Sequence, residues 1–269
     1  MFKLSNATGV FTLGVFCCAS FAEAQESQPS YSRDICVKVR DGKGAEYAAF
    51  LRDTTVKLAK IRVEAGLYSG FVIGQAVAPA GRSARCDYHI VYGYNGFPSE
   101  NPGAEQTSSD MKKAGIAMTR EEMNAKRDDL SYLVGIDIWR GQQAVGRSAK
   151  GGFARLNYYK TKPGATLGEW VRMESTGWKP VAESFSKELG TAWVVFTLAM
   201  PGGTGLPYNG LTVDIFPSWE ALGKGVPARA TWNKVHPEMD FAAYGTQMAN
   251  IAERPRIDTV RLVEVIQGK

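Results

Sequence analysis

The stretch ICVKVRDGKGAEYAAFL, residues 35–51, has a counterpart in RLNYYKTKPGATLGEWV, residues 155–171. Each stretch begins with the alternation of a β-strand, passes through a turn that contains glycine, and continues with apolar residues spaced three and four apart. The helical spacing is carried by Tyr47, Phe50 and Leu51 in the first stretch and by Leu167, Trp170 and Val171 in the second. Self-similarity of this kind is the signature of a repeated structural unit. We therefore predict that one strand–helix unit occurs twice in this chain.

The segments that follow keep the same order in both halves of the chain. Each helix is followed by a glycine, Gly66 or Gly190, and then by a two-stranded hairpin, a second helix and a last strand. Glycine adopts the left-handed conformation that ends many helices at little cost. Thr119 and Glu122 have the spacing of a capping box, which opens the second helix of the first half. The order predicts two βαββαβ units.

Two βαββαβ units in one chain resemble the ferredoxin-like repeat of the dimeric α+β barrel superfamily. The resemblance covers two predicted units, residues 33–145 and 150–267, and the segments YKTKPG (159–164), WKP (178–180) and FPSWEAL (216–222) are similar to motifs of uncharacterised exported bacterial members. The superfamily includes antibiotic-biosynthesis monooxygenases, muconolactone isomerases and stress-responsive proteins. The resemblance implies an α+β fold in which two sheets surround a central cavity and the helices lie outside. Two tandem ferredoxin-like repeats imply an intrachain barrel, as a monomer or a homodimer.

Residues 1–24 have the pattern of a secretory signal peptide. Lys3 precedes an uncharged apolar run, and Ala22-Glu23-Ala24 places small residues around a cleavage site. The apolar run is too short to span a bilayer, and no later segment approaches the ~20 apolar residues of a membrane helix. We predict cleavage after Ala24 and a mature protein that is periplasmic or secreted, with no membrane insertion.

Two cysteines, Cys36 and Cys86, remain after the predicted cleavage. Cysteines pair in the oxidising compartments to which exported proteins travel. These two lie near the starts of strands that we expect to be parallel neighbours, which favours a disulfide. Their predicted faces differ, however, unless Cys86 precedes the regular strand, so the bond is a hypothesis.

Strand alternation divides the barrel residues into a helix-covered face and a cavity face. An offset of 121 residues between the units matches the apolar residues of their first and third strands. The helix-covered face then holds Ile35, Val37, Val39, Ile90, Tyr92 and Tyr94 in the first unit, and Leu156, Tyr158, Lys160, Leu211, Val213 and Ile215 in the second. The cavity face receives the alternate, mostly polar residues. An offset of 122, which aligns Pro79 with Pro201, would instead pair His89 with Leu211.

His89 and Asp214 are the candidate catalytic residues of the cavity face. An imidazole near pH 7, or a carboxylate in apolar surroundings, can move protons. The alternatives are a buried histidine held by a neighbour's hydrogen bond, and a polar network that only stabilises the barrel. The predicted ligand-binding residues share this face and are Lys38, Asp137, Trp139, Arg155, Asn157, Tyr159 and Thr212. Trp139 is placed to stack on a flat ligand, whereas Lys38 and Arg155 would hold an anionic group or pair with Asp137 or Asp214.

These residues predict a protein that binds a small, flat apolar or aromatic molecule. One hypothesis is an enzyme that needs no cofactor, of isomerase, lyase or monooxygenase type. The other is a non-catalytic ligand-binding or stress-associated protein. The chain has two histidines, so a multi-histidine metal site is not expected, and heme bound by His89 is the alternative to the absence of a cofactor. The net charge is +5 with scattered Lys and Arg, which does not predict nucleic-acid binding.

Overall fold

The computed structural model describes residues 30–98, 102–203 and 205–268. The predicted signal peptide, residues 1–24, lies outside the described residues. Eight strands are found in the described part of the chain. They are β1 (Ser30–Val39), β2 (Gly70–Ala78), β3 (Tyr88–Asn95), β4 (Ser131–Val145), β5 (Phe153–Thr161), β6 (Ala192–Met200), β7 (Gly210–Phe216) and β8 (Ala252–Gln267).

The helices lie between these strands. They are α1 (Gly44–Phe50), α2 (Val56–Glu64), α3 (Ala104–Lys113), α4 (Arg120–Leu130), α5 (Leu167–Met173), α6 (Lys179–Leu189), α7 (Trp219–Lys224), α8 (Ala228–Val235) and α9 (Phe241–Ile251). A π-helical turn joins α1 to α2, and another joins α5 to α6. Residues 30–145 are here the first unit and 153–267 the second. Both have a strand, a helix pair, a two-stranded hairpin, further helices and a last strand, but the structure describes two helices before the last strand in the first unit and three in the second. Among the described residues, no helix has the length and apolar character needed to cross a membrane.

The strands form one antiparallel sheet that closes on itself. Hydrogen-bonded neighbours follow the order β1-β3-β2-β8-β5-β7-β6-β4, and β4 pairs again with β1. The two units join where β2 pairs with β8 and where β4 pairs with β6. The predicted α+β barrel within one chain is confirmed. The expectation of parallel first and third strands is wrong, because the hairpin reverses the chain after β2, so β3 runs opposite to both β1 and β2.

The predicted helix ends are confirmed at the positions where caps were expected. The Thr119 side chain accepts a hydrogen bond from the Glu122 backbone N–H, and the Glu122 carboxylate accepts one from the Thr119 N–H. Gly66 and Gly190 have φ angles of 74° and 64°. Both values lie in the left-handed region that favours glycine after the last helical residue.

The strand faces agree with the prediction in the first unit and are reversed in the second. Val37 and Ile90 pack under the first unit's helices, but Leu156 and Val213 pack inside the barrel. His89 and Leu211 both line the interior, which is the pairing that the offset of 122 residues produces. The offset of 121 is therefore wrong. That offset matches the apolar residues of two strands in each unit, on the expectation that apolar residues face the helices. In the second unit they face the barrel interior instead.

Cys36 and Cys86 form a disulfide bond, with their Cα atoms 5.2 Å apart. Cys86 precedes β3, which begins at Tyr88. Its side chain therefore does not have to follow the alternating directions of that strand, and it reaches Cys36 on β1. The bond ties β1 to the connection between β2 and β3 at one end of the barrel.

Candidate functional site

An apolar cavity of about 150 Å³ lies inside the barrel. Both units contribute to its wall, because β2 of the first unit and β5, β6, β7 and β8 of the second unit all place side chains on it. The apolar side chains of the wall include Val72, Leu156, Phe196, Leu211 and Val213. Its ionisable side chains are Asp34 and His89, which come from neighbouring strands of the first unit. The cavity therefore combines an apolar wall with one pair of groups that can exchange a proton.

His89 and Asp34 are joined by a hydrogen bond at this wall. β3 places His89 opposite Cys36 of β1, and Asp34 lies two residues before Cys36, so it shares the inward face. The Nδ1 atom of His89 lies 2.9 Å from Oδ2 and 3.1 Å from Oδ1 of Asp34. His89 is 4% exposed, and no hydrogen bond joins its Nε2 atom to another described residue. Asp34 thus orients the ring and leaves Nε2 for a molecule in the cavity.

Two opposing effects set the protonation of His89. Burial lowers the pKa of the imidazole. The charge of Asp34 and its hydrogen bond together raise the pKa by more than burial lowers it, so the pKa lies above its ordinary value of 6.5. The protonated ring is therefore favoured to a higher pH than in an exposed histidine. In that form Nε2–H is a donor, and after loss of the proton Nε2 becomes an acceptor.

A second polar group lies beside this pair and joins two loops. Tyr208, in the β6–β7 connection, donates a hydrogen bond of 2.7 Å to Asp137 of β4. Arg85, in the β2–β3 connection, donates to the Tyr208 hydroxyl and lies 3.8 Å from Asp137. Burial raises the pKa of Asp137 despite these partners, and burial raises the pKa of Tyr208 to about 12. Asp137 is the register partner of Asp34, so the group adjoins the His89–Asp34 pair.

Trp139 lines the cavity and contacts the second polar group. Its ring stacks on Tyr208, with centroids 5.8 Å apart and planes 22° apart. The side chain is 1% exposed, and its Nε1 atom is buried without a hydrogen-bond partner. A buried donor without a partner is unusual and costs free energy. An acceptor atom on a bound molecule would remove that cost, so Trp139 offers a second polar contact to a ligand.

Of the predicted first-unit residues, His89, Asp137 and Trp139 lie in the barrel interior, as expected from their parity. Lys38 does not contact the cavity. Its Nζ atom donates to two backbone oxygens of the β2–β3 connection and lies 2.9 Å from the Asp87 carboxylate. The prediction of a ligand contact for Lys38 is wrong, because the loop that follows β2 folds over its amine.

The predicted second-unit residues face the helices. They are Arg155, Asn157, Tyr159, Thr212 and Asp214. The Asp214 carboxylate accepts hydrogen bonds from Arg155 at 3.1 Å and from Asn157 at 2.9 Å. Tyr159 packs against Trp170, with ring centroids 5.2 Å apart. The expectation that these residues share a cavity with His89 is wrong, because a one-residue change of register moves every side chain of a strand to its other face.

Three residues of the site, Asp34, Arg85 and Tyr208, were not among the predicted residues. Asp34 lies one residue before the strand segment that begins at Ile35 and has the parity of Cys36, so a longer first strand predicts its position. Arg85 and Tyr208 lie in connections between strands. Connections have no regular alternation of side chains, so the sequence does not predict where these residues pack. Only the folded chain brings them together.

Comparison with known proteins identifies the fold. No family model matches this chain, and no curated protein matches it. A proposed monooxygenase from Fusobacterium nucleatum has a TM-score of 0.55 at 14% identity, over 90% of this chain and 95% of that chain. A proposed monooxygenase from Lactobacillus acidophilus has a TM-score of 0.56 at 9% identity, over 90% of this chain and 97% of that chain. The likeness shows a shared α+β barrel fold, which confirms the predicted resemblance at the level of architecture.

The prediction that this chain uses no cofactor is wrong, because a heme-binding protein is among the solved structures similar to it. A Thermus thermophilus structure described as a novel heme-binding protein matches with a TM-score of 0.47 at 10% identity, over 88% of this chain and 92% of that chain. Whether heme suits this chain depends on its own residues.

The described residues do not fit a heme held by histidine. His89 faces a cavity of about 150 Å³, a volume known to hold benzene and far too small for a porphyrin. The Nε2 atom of His236 lies 2.8 Å from the Gly177 carbonyl oxygen, and its ring packs on Trp232. The described residues also contain no group of three His, Cys, Asp or Glu side chains that could hold a metal ion.

Proposed function

We propose that this protein is a small-molecule-binding enzyme in which the His89–Asp34 pair moves a proton on a flat apolar compound in the barrel cavity. One observation carries the proposal: a buried imidazole, oriented by a carboxylate, lies at the wall of an otherwise apolar cavity. Displaced pKa values at buried groups with a specific charge partner are typical of catalytic acids and bases. The shared fold with two proposed monooxygenases supports an enzyme of the same barrel class.

The cavity volume limits the part of the substrate that it takes. A cavity of about 150 Å³ lined by apolar side chains binds benzene in another protein, and this cavity has the same volume. The reacting part is therefore a single ring or a group of similar size. The ring lies against the apolar wall, and an oxygen substituent accepts hydrogen bonds from His89 Nε2 and Trp139 Nε1.

The proposed step relocates one proton. The protonated ring of His89 donates from Nε2 to the substrate oxygen, and the neutral ring takes a proton from an adjacent carbon of the same substrate. Asp34 remains ionised and holds the proton on Nδ1 throughout, so charge and protons balance at the end of the cycle. An isomerase reaction consists of this step alone. A lyase reaction requires, in addition, that the bond from the neighbouring carbon to an oxygen leaving group breaks and that the group departs with the proton donated by His89. A monooxygenase reaction requires dioxygen as a co-substrate in addition.

Hydrogen–deuterium exchange at the α-carbon of cyclopentanone tests the proposal. We expect the protein to accelerate this exchange in D₂O, measured by proton NMR, because enolisation needs an acid at the oxygen and a base at the carbon. We expect His89→Gln to lose roughly 10²-fold or more of the acceleration, the usual contribution of a general acid–base. We expect Asp34→Asn to lower the acceleration and shift its pH profile to lower pH, since Asp34 acts through His89.

Asp214→Asn is the matched control for Asp34→Asn. It makes the same chemical change on the other side of the sheet, where Asp214 pairs with Arg155, so the exchange rate should stay within twofold of the wild-type rate. Benzene binding is measured in parallel by calorimetry. Benzene binding without any acceleration of exchange would favour the non-catalytic ligand-binding protein and refute the enzyme.

Export belongs to the same proposal. The pattern of residues 1–24 supports it, and so does the Cys36–Cys86 disulfide, because such bonds persist in oxidising compartments. Mass spectrometry of the protein from its own host should find a chain that begins at Gln25. Both cysteines should resist alkylation until a reductant is added. A full-length chain in which Cys36 and Cys86 react without a reductant would contradict export.

A further inference from the structure

A second cavity, of about 400 Å³, lies between the helices of the first unit and the outer face of its sheet. Ile35, Ile90 and Tyr92 form part of its floor. Asp34 and His89 have the opposite parity and point into the barrel, so the sheet separates this helix–sheet cavity from the interior cavity. Its volume lies in the range of about 300–1,000 Å³ that is usual for pockets that bind drug-sized molecules.

The second unit packs a larger ring against its sheet at the matching helix position. The first helix of each unit carries a buried aromatic residue at matching positions, Tyr47 in the first unit and Trp170 in the second. Trp170 is fully buried, and a Cβ atom added to Gly210 would lie 2.8 Å from its ring. The indole therefore packs directly against the strand backbone. In the first unit Tyr47 instead packs on Tyr88 of β3, with ring centroids 5.3 Å apart, and the helix–sheet cavity lies beside this pair with Tyr47 in its wall.

The mouth of the helix–sheet cavity is apolar and exposed. Tyr132, Leu133 and Ile136 of β4 line the cavity, and they are 51%, 58% and 44% exposed. Large apolar side chains that stay exposed side by side often mark a binding groove. Here they connect the solvent to an apolar interior, which is the arrangement expected of an entrance for an apolar ligand.

The charged and polar groups of the wall favour a neutral ligand. Arg62 lies 2.9 Å from the Asp110 carboxylate, and Arg127 lies 2.9 Å from that of Asp128. Both cations therefore already have carboxylate partners. Tyr92 adds a hydroxyl that forms no hydrogen bond to another described residue, and burial raises its pKa above the ordinary value, so it stays protonated. A protonated hydroxyl among apolar side chains suits an oxygen acceptor without charge.

We propose that the helix–sheet cavity of the first unit is a binding site for a neutral, largely apolar molecule of drug-like size that carries a carbonyl or ether oxygen. The apolar body lies between the α1–α2 helix and the sheet, and the oxygen accepts a hydrogen bond from Tyr92. This site is separate from the interior cavity and does not depend on proton transfer by His89.

Prodan, a neutral naphthalene dye with one carbonyl group, is the probe. It is too large for the interior cavity, and its fluorescence reports both apolar surroundings and hydrogen bonds to the carbonyl. We expect saturable binding to the full mature chain. Ala59→Phe, which places a ring inside the helix–sheet cavity, should weaken binding at least tenfold. Tyr92→Phe should weaken it about fivefold, as the loss of one hydrogen bond of about 1 kcal/mol does, and should shift the emission to shorter wavelength.

Two surface variants keep the test valid if the buried variants, Ala59→Phe and Tyr92→Phe, fail to fold. Leu133→Lys places a charge at the exposed mouth and should weaken Prodan binding at least tenfold. Ile257→Lys makes the same kind of change at a β8 residue that is 41% exposed and does not line the cavity, so it should leave affinity within twofold. Equal losses in both variants, undiminished binding in Leu133→Lys, or no saturable binding to the wild-type chain would each overturn the proposal.

Discussion

At the scale of single residues, His89 shows how one neighbour sets the chemistry of a buried group. Burial alone would lower the pKa of the ring, but Asp34 reverses the direction. Asp258 and Arg256 also act on the ring and have opposite effects on its pKa. The protonated form therefore depends mainly on one carboxylate on the neighbouring strand.

The raised pKa of His89 predicts a specific pH dependence of stability. The folded protein binds the His89 proton more tightly than the unfolded chain, so the stabilisation is fully present below pH 6.5 and is lost as the pH rises through the raised pKa. We expect the free energy of unfolding of the wild type, measured in urea, to fall relative to that of His89→Gln across this window. Glu174, whose pKa burial raises to about 8, adds a similar fall to both proteins and cancels in the difference.

Asp34→Asn provides the sharper control for this effect. Without the carboxylate, burial dominates and the pKa of His89 should lie below 6.5, so its contribution to stability should increase as the pH rises. A stability difference between wild type and His89→Gln that does not change with pH would show that Asp34 does not raise the pKa. NMR titration of the ring provides a direct check of the same quantity.

At the scale of elements, the strands of the second unit show why polarity is a poor guide to direction. Leu211, Val213 and Ile215 alternate with Thr212 and Asp214 along β7, and the apolar set faces the barrel interior. The polar set lies under the helices, where Arg155 and Asn157 satisfy Asp214. In the first unit the apolar set of β3 faces the helices instead. The same alternation of apolar and polar residues therefore occurs with the apolar set facing either the helices or the barrel interior. The composition of a strand alone cannot distinguish these two orientations.

At the scale of the whole molecule, the closed sheet makes the two units interdependent. The interior core joins Trp139 of β4 to Leu156 of β5 and Val213 of β7, with Val72 of β2 packed against it. Two ladders, β2–β8 and β4–β6, also cross from one unit to the other. Opening either unit would expose part of this shared core and leave strand edges unpaired.

The shared core predicts a single cooperative unfolding transition. We expect scanning calorimetry of the protein to yield equal calorimetric and van't Hoff enthalpies, the test of two-state behaviour. Reducing the Cys36–Cys86 disulfide, which lies within the first unit, should move the whole transition to lower temperature without splitting it. Two separate transitions, of which only one moved on reduction, would show that the units unfold independently.

The sequence by itself determined what depends on neighbours along the chain. The two strand–helix units, the Thr119 cap and the glycines that end the helices all follow from local spacing and backbone preference. Only the tertiary structure decided the offset of 122, which turns Asp214 away from His89, and the packing of Arg85 and Tyr208 beside Asp137. Alternation defines two faces of a strand, but pairing between strands that are distant in sequence decides which face lines the cavity.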